Sequence, residues 1–318
     1  MSFLGFLLVL GAVALMAAWI VAVPLFFAWN RGLGALGPAR ALRWARWNLV
    51  VLSVPLVAGA VLALAASGAF DFTAGWVWAC HCASEGLHLC PHHPDRALAL
   101  LPFAALVVLL AAPRLIKQFR QLRAIRRLNR ALRAEAGRVA DDEGVFLAEL
   151  GRRNAFAAGG RRPIIVADSA WWQSLTRLEQ TIVRAHEEAH VRRRDPMTLA
   201  IARGLAAWLP PSADTLVRWW HGAAEHFADQ WAARSIGDPL EVAAFLLRQE
   251  RARTALLAFH GTAMELRITA LVEAPVDHTH PDGDLDRTLS GALLLAVAGV
   301  FFGAELHHLT ERFIAWLS

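Results

Sequence analysis

The chain has 318 residues, of which 56% are hydrophobic and only 19% charged, and its formal net charge is +5. Its mean hydropathy is +0.39 and its pI near 10.2, whereas soluble domains run about 45–50% apolar and about 25% charged. An ordinary soluble domain, a disordered chain, a collagen and a disulfide-built miniprotein are all excluded on this arithmetic.

No Asp, Glu, Lys or Arg occurs in residues 1–30, 47–70, 97–113 or 288–304. A membrane-crossing helix needs about 20 apolar residues for roughly 30 Å of hydrocarbon, so these runs predict four transmembrane helices. The two shorter ones lean on flanking residues. The first is too long and lacks the basic start of a signal peptide. The expected fold is therefore a mainly α, multi-pass membrane protein with one globular domain between the third and fourth spans. Its divisions are 1–113, with three spans, 114–287, with a stem helix and the globular domain, and 288–318, with the fourth span and a short tail.

Basic residues orient this layout. Arg31, Arg40, Arg43 and Arg46 lie in the first connection, and eight Arg and Lys residues from Arg114 to Arg133 follow the third run. By the positive-inside rule the globular domain is cytoplasmic and both termini lie outside, as in a bacterial inner membrane. Leu115, Phe119, Leu122, Ile125, Leu128 and Leu132 recur at helical spacing through the basic stretch. That pattern predicts an amphipathic stem on an anionic bilayer surface, and it accounts for the high pI without nucleic acid. The second connection gathers seven thiol or imidazole side chains in residues 80–93. Cys80, Cys82 and Cys90 there are partners in an outer disulfide, or, with the histidines, ligands of a metal site that senses outer conditions, or loop residues without a role.

Within the globular region, Val145–Leu150, Asn154–Ala158 and Pro163–Ala167 read as short strands. Thr176-Arg177-Leu178-Glu179 fits a capping box opening a helix to about Arg193. Asp195-Pro196 reads as a cap with proline at the first position of the next helix. A long helix follows from Ser212 to about Ser235, stopped by Gly237.

His186-Glu187-Glu188-Ala189-His190 is an HExxH motif inside the capped helix. Four residues of helix bring both imidazoles onto one face, within reach of one ion, with Glu187 beside it to take a proton from water. Glu225 supplies a third ligand from the long helix, and Asp229, one turn on, is placed to fix the tautomer of a ligating histidine. Two histidines and a glutamate leave one position open, as catalytic Zn2+ requires.

HExxH followed 35 residues later by Glu225-His226-Phe227-Ala228-Asp229 resembles the gluzincin membrane peptidases. With the expected four-span layout, this spacing is most similar to the BlaR/MecR-type antirepressor peptidases. Asn154-Ala155-Phe156-Ala157, with His280-Pro281 and Arg287 downstream, also resembles the HtpX-like and CAAX-prenyl branch. The resemblance implies a zincin-like α+β peptidase domain and a zinc endopeptidase cutting a protein at the cytoplasmic face. The substrate would be a transcriptional repressor or, in a quality-control protease, a membrane protein; a non-cleaving metal-binding transducer and a metal-stabilised membrane scaffold are the alternatives. His186, His190 and Glu225 match the ligands, Glu187 the general base and Asp229 the supporting acid, with substrate lying along Pro163–Ala167 by β-addition. One departure is that BlaR/MecR-type proteins carry a large outer penicillin-binding domain, whereas Glu305–Ser318 follow the last run here. The developing oxyanion needs a donor, and the chain has no Tyr. His221, His226, His280 and Arg287 are the candidates.

Overall fold

The computed structural model describes residues 3–66, 101–136, 144–151, 154–159, 163–254 and 261–273. The Cys80, Cys82 and Cys90 loop, His280, Arg287 and the fourth apolar run lie outside the described residues.

The described chain is mainly helical. It runs α1 (Phe3–Gly34), α2 (Pro38–Ala45), α3 (Asn48–Ala66) and α4 (Leu101–Ala136). Strands β1 (Val145–Ala148), β2 (Ala155–Ala158) and β3 (Ile164–Asp168) follow, then α5 (Ser169–Ser174) and α6 (Arg177–Arg193). The remainder is α7 (Asp195–Ala207), α8 (Ala213–Ile236), α9 (Pro239–Thr254) and α10 (Gly261–Glu273). The strands, α6 and α8 fall where alternation and capping residues place them. Gly237 ends α8 in the left-handed region at φ 81°, where a side chain would be strained.

The four-span fold with an interposed zincin-like α+β peptidase domain is not what forms. Among the described residues, one helix, over Val9–Gly34, is long and apolar enough to cross a membrane. Pro38–Ala45 and Asn48–Leu64 qualify only as a single span bent by 43°. Among the described residues α4 runs from Leu101 and meets Arg114, so its described uncharged stretch extends for about 20 Å. The sheet has three strands among the described residues.

The reason lies in where the apolar surface goes. Ala22 and Phe26 of α1 and Leu49 and Leu52 of α3 are buried in one core with Ala202, Ala206, Leu216 and Trp220 of α7 and α8. Hydropathy counts such residues as lipid-facing, although protein covers them. This core crosses the boundary expected at residue 113. Asn48 fastens it: the Trp29 indole N–H donates to Asn48 Oδ1 at 2.6 Å, and Asn48 Nδ2 donates to the Leu216 carbonyl at 2.8 Å. α1 and α3 meet closely at Gly59, where a Cβ would collide with the Ala14 carbonyl and lie 2.7 Å from Ala18 N. Such close backbone approach needs small residues.

A second core joins the sheet to α5, α6, α9 and α10 through Val145, Ala167, Trp172, Ile182, Phe245 and Leu271. Ala232 and Ala233 belong to it as well, so α8 contributes its first half to one core and its end to the other. Glu225 and Asp229 sit between the two.

The sheet order is β1-β3-β2, with β3 parallel to β1 and antiparallel to β2. The strand expected to receive substrate, Pro163–Ala167, is thus the central one, with partners on both sides. It has no edge for β-addition. β2 is an outer strand in its place. Asp168 N–H donates to the Asn154 carbonyl at 3.0 Å, and antiparallel alternation then turns the backbone groups of Ala155 and Ala157 away from β3.

Candidate metal centre

α6 is held at its start by a complete capping box: Thr176 N–H donates to Glu179 Oε2 at 2.9 Å, and Glu179 N–H donates to Thr176 Oγ1 at 3.3 Å. From this start, His186, Glu187 and His190 face inward along one flank. The helix ends at Arg194, whose left-handed backbone (φ 55°) lets α7 begin at once. A non-glycine residue pays a small steric cost there. The sharp turn returns Asp195 to His190, and its Oδ2 lies 2.7 Å from Nδ1.

His186 is held in the same way by another element. Its Nδ1 lies 3.0 Å from Asp229 Oδ1, on α8, and Asp229 is completely buried. Each imidazole therefore gives its Nδ1 hydrogen to a carboxylate and turns its Nε2 inward. The two Nε2 atoms are 3.2 Å apart, and each lies 3.6 Å from an oxygen of Glu225. Two ring nitrogens and a carboxylate converging on one point repel one another unless a proton or a metal cation lies between them. His186, His190 and Glu225 offer ligand atoms all within 4.8 Å of one another. The group can hold a metal ion.

Arg267 completes the site. From α10 it donates through Nε to Asp229 Oδ2 at 2.8 Å and through a terminal nitrogen to Oδ1 at 2.7 Å. Its other terminal nitrogen is 3.0 Å from Glu225 Oε2. This fork fixes both carboxylates of α8 in orientation, which a lysine cannot do.

The local charges set the protonation of each group. Burial pulls the His186 imidazole down, but its bonds to Asp229 and Glu225 and their charges outweigh it and push it up to about 10. Burial raises the Glu225 carboxyl, yet the His186 bond and the charges of Arg267 and both histidines hold it well below the usual range. Asp229 is likewise held low against burial, by Arg267 and His186. Glu187 is the exception. Burial raises it, and the two imidazoles and the Ala157 N–H of β2 only partly oppose the shift. One carboxylate is thus committed to the cation spot, and another beside it retains affinity for a proton.

The oxyanion candidates separate. His221 reaches the rim, its Nε2 3.9 Å from Glu225 Oε1 and its side chain half exposed. His226 does not face the centre: it lines a cleft against α2 with Arg43 and Arg46. Asp195, read from the sequence as a helix cap, orients a ligand-bearing ring, while the cap itself is Arg194. Its place five residues after His190 was the available signal. Arg267 had none, since nothing local in α10 points to α8.

Asp195→Asn is expected to lower metal affinity about 10–100-fold, because an amide can present its N–H to His190 Nδ1 and favour the wrong tautomer. Competition against a fluorescent chelator measures this, and unchanged affinity would remove Asp195 from the site.

No protein-family model, curated protein or solved structure matches the chain. The resemblance to gluzincin membrane peptidases rests on the motif residues themselves.

Proposed function

We propose that the protein is a membrane-anchored zinc endopeptidase of the HExxH-plus-glutamate kind, acting on a protein substrate at the cytoplasmic face of a bacterial inner membrane. The observation that carries this reading is Glu187: a buried carboxyl of raised proton affinity, beside a His-His-Glu set and against the outward-turned Ala157 N–H. A purely structural metal site has no use for it.

His186, His190 and Glu225 would hold the zinc. Two nitrogens on one tetrahedral zinc at 2.0–2.1 Å stand about 3.3 Å apart, and the observed separation of 3.2 Å fits. When bound, zinc supplies a lowered pKa for water and polarisation of the scissile carbonyl. Glu187 accepts the proton of the attacking water and passes it to the leaving amine. Asp195 and Asp229 keep the imidazoles in the ligating tautomer. The outer edge of β2 aligns an extended substrate segment by main-chain hydrogen bonds, and His221 at the rim is the donor available to a developing oxyanion.

Anchoring is supported by α1 and by exposed apolar side chains outside the cores, among them Ile20, Phe27, Leu109 and Phe119, which suit lipid. Arg31 in the last turn of α1, with Arg40, Arg43 and Arg46 after it, supports an inside position for this end of the helix. The regulatory role follows the BlaR/MecR resemblance, with the substrate a repressor or a membrane protein.

Detergent-purified protein is expected to carry one zinc per chain and to cleave unfolded casein. A chelator should stop cleavage and added zinc restore it, while His190→Ala should lose both metal and activity. Zinc-loaded protein that leaves casein intact would sink the endopeptidase reading and favour a metal-binding transducer.

A further inference from the structure

His226 follows Glu225 on α8 but points the other way, into a cleft between α8 and α2. The residue is only 3% exposed, and neither ring nitrogen has a hydrogen-bond partner. Buried polar atoms are almost always satisfied, so the cleft is built around a group that gives the ring N–H an acceptor. None of the described lining residues bonds it. They are Leu42, Arg43, Arg46, Ala223, Phe227 and Gln230 besides His226 itself; Gln230 has the one uncharged side-chain acceptor among them and makes no bond to the ring. The nearby Asp229 has both oxygens committed to Arg267 and His186.

The charge of the missing partner follows from its neighbours. Arg43, in the last turn of α2, and Arg46, the residue that caps its end, both line the cleft. The cleft has about 270 Å³ of free space including its open mouth, and its enclosed part is narrow. A compact anion at the mouth, with one oxygen reaching inward, satisfies these conditions; an extended cofactor does not. Paired arginines match phosphate geometry in particular.

We infer that the α2–α8 cleft binds a phosphate group, one oxygen accepting from the His226 ring and the charge held by Arg43 and Arg46. The headgroup of an anionic phospholipid is the source nearest to hand. α2 connects two apolar helices, and Trp44 and Trp47 beside the arginines are 53% and 40% exposed, as indoles at a membrane interface are. Free phosphate shares the chemistry. In either case the ligand ties α2 to the helix that carries Glu225.

Native mass spectrometry of the full chain from neutral detergent tests this with three probes: phosphatidylglycerol, diacylglycerol lacking phosphate, and inorganic phosphate. One phosphatidylglycerol per chain is expected, with no retention of diacylglycerol. Arg43→Gln should weaken binding about tenfold and the Arg43→Gln/Arg46→Gln pair further, as for loss of charge-assisted bonds. Arg43 is exposed, so its single substitution keeps the fold and remains decisive if the pair does not fold; an unchanged lipid-free melting temperature checks this. Binding of inorganic phosphate alone, with the same dependence on Arg43, would support the site and assign it to a free anion. Binding of neither phosphate probe, equal binding by the parent and Arg43→Gln, or equal retention of diacylglycerol would overturn it.

Discussion

Glu187→Gln is expected to lower peptide-bond cleavage by about 10²–10⁴-fold while leaving zinc in place. The substitution is nearly isosteric, so the 7% exposed side chain leaves no cavity when replaced. What it removes is basicity. An amide cannot take a proton from water or return one to the leaving amine. The ligands are untouched: His186 and His190 keep Asp229 and Asp195, and Glu225 keeps Arg267. Burial already makes the carboxylate at this position costly, so Gln should not destabilise the fold. Metal content, melting temperature and cleavage rate measured on one preparation separate these effects. Comparing new protein termini in membrane and cytosol, between cells with parent and variant, would then identify substrates. If Glu187→Gln cleaves as fast as the parent, Glu187 is not the base.

Arg267→Met should be the most destabilising single change at the site, by about 3–5 kcal/mol. Met approximates the length of the Arg stem, so the loss is mainly electrostatic. Asp229 has no exposure at all, and without the guanidinium fork its buried charge faces that of the partly buried Glu225 with nothing between them. Breaking one partner of a buried ionic network strands the other in a medium that cannot solvate it. In thermal unfolding the loss should appear as a fall in midpoint on the order of 10 °C. Zinc should restore part of it, because a divalent cation among His186, His190 and Glu225 supplies the missing positive charge. Arg267→Lys should lie between parent and Met, keeping a charge but not the two-pronged grip on Asp229. If Arg267→Met melts with the parent in both the absence and presence of zinc, the carboxylates do not depend on this arginine.

Local order was legible in the residues themselves. The capping box at Thr176, the i, i+4 spacing of His186 and His190, the one-turn spacing of Glu225 and Asp229, and Gly237 after α8 are short-range facts. Helical periodicity and end-capping act within a few residues, so they survive without knowledge of the rest of the chain. The convergence of Glu225 on the two histidines was expected from its residue type and helix position and matched by the resemblance, and the geometry that brings them together comes from α8 packing on α6.

What only the tertiary structure decided is which surface each element meets. Hydropathy made α3 look like a free span, yet Leu49 and Leu52 are covered by α7 and α8, because burial in protein and burial in lipid select the same side chains. Strand pattern located Pro163–Ala167 but not its central place between β1 and β2, since pairing order leaves no mark on a single strand. Asp195 looked like a cap until the left-handed turn at Arg194 sent it back to His190. Arg267 reaches Asp229 across 38 residues, and His226 turns to α2 while its neighbour Glu225 turns to α6. Successive helix residues point about 100° apart, so only the packing of two different neighbours against α8 could assign one to the metal centre and the other to the cleft.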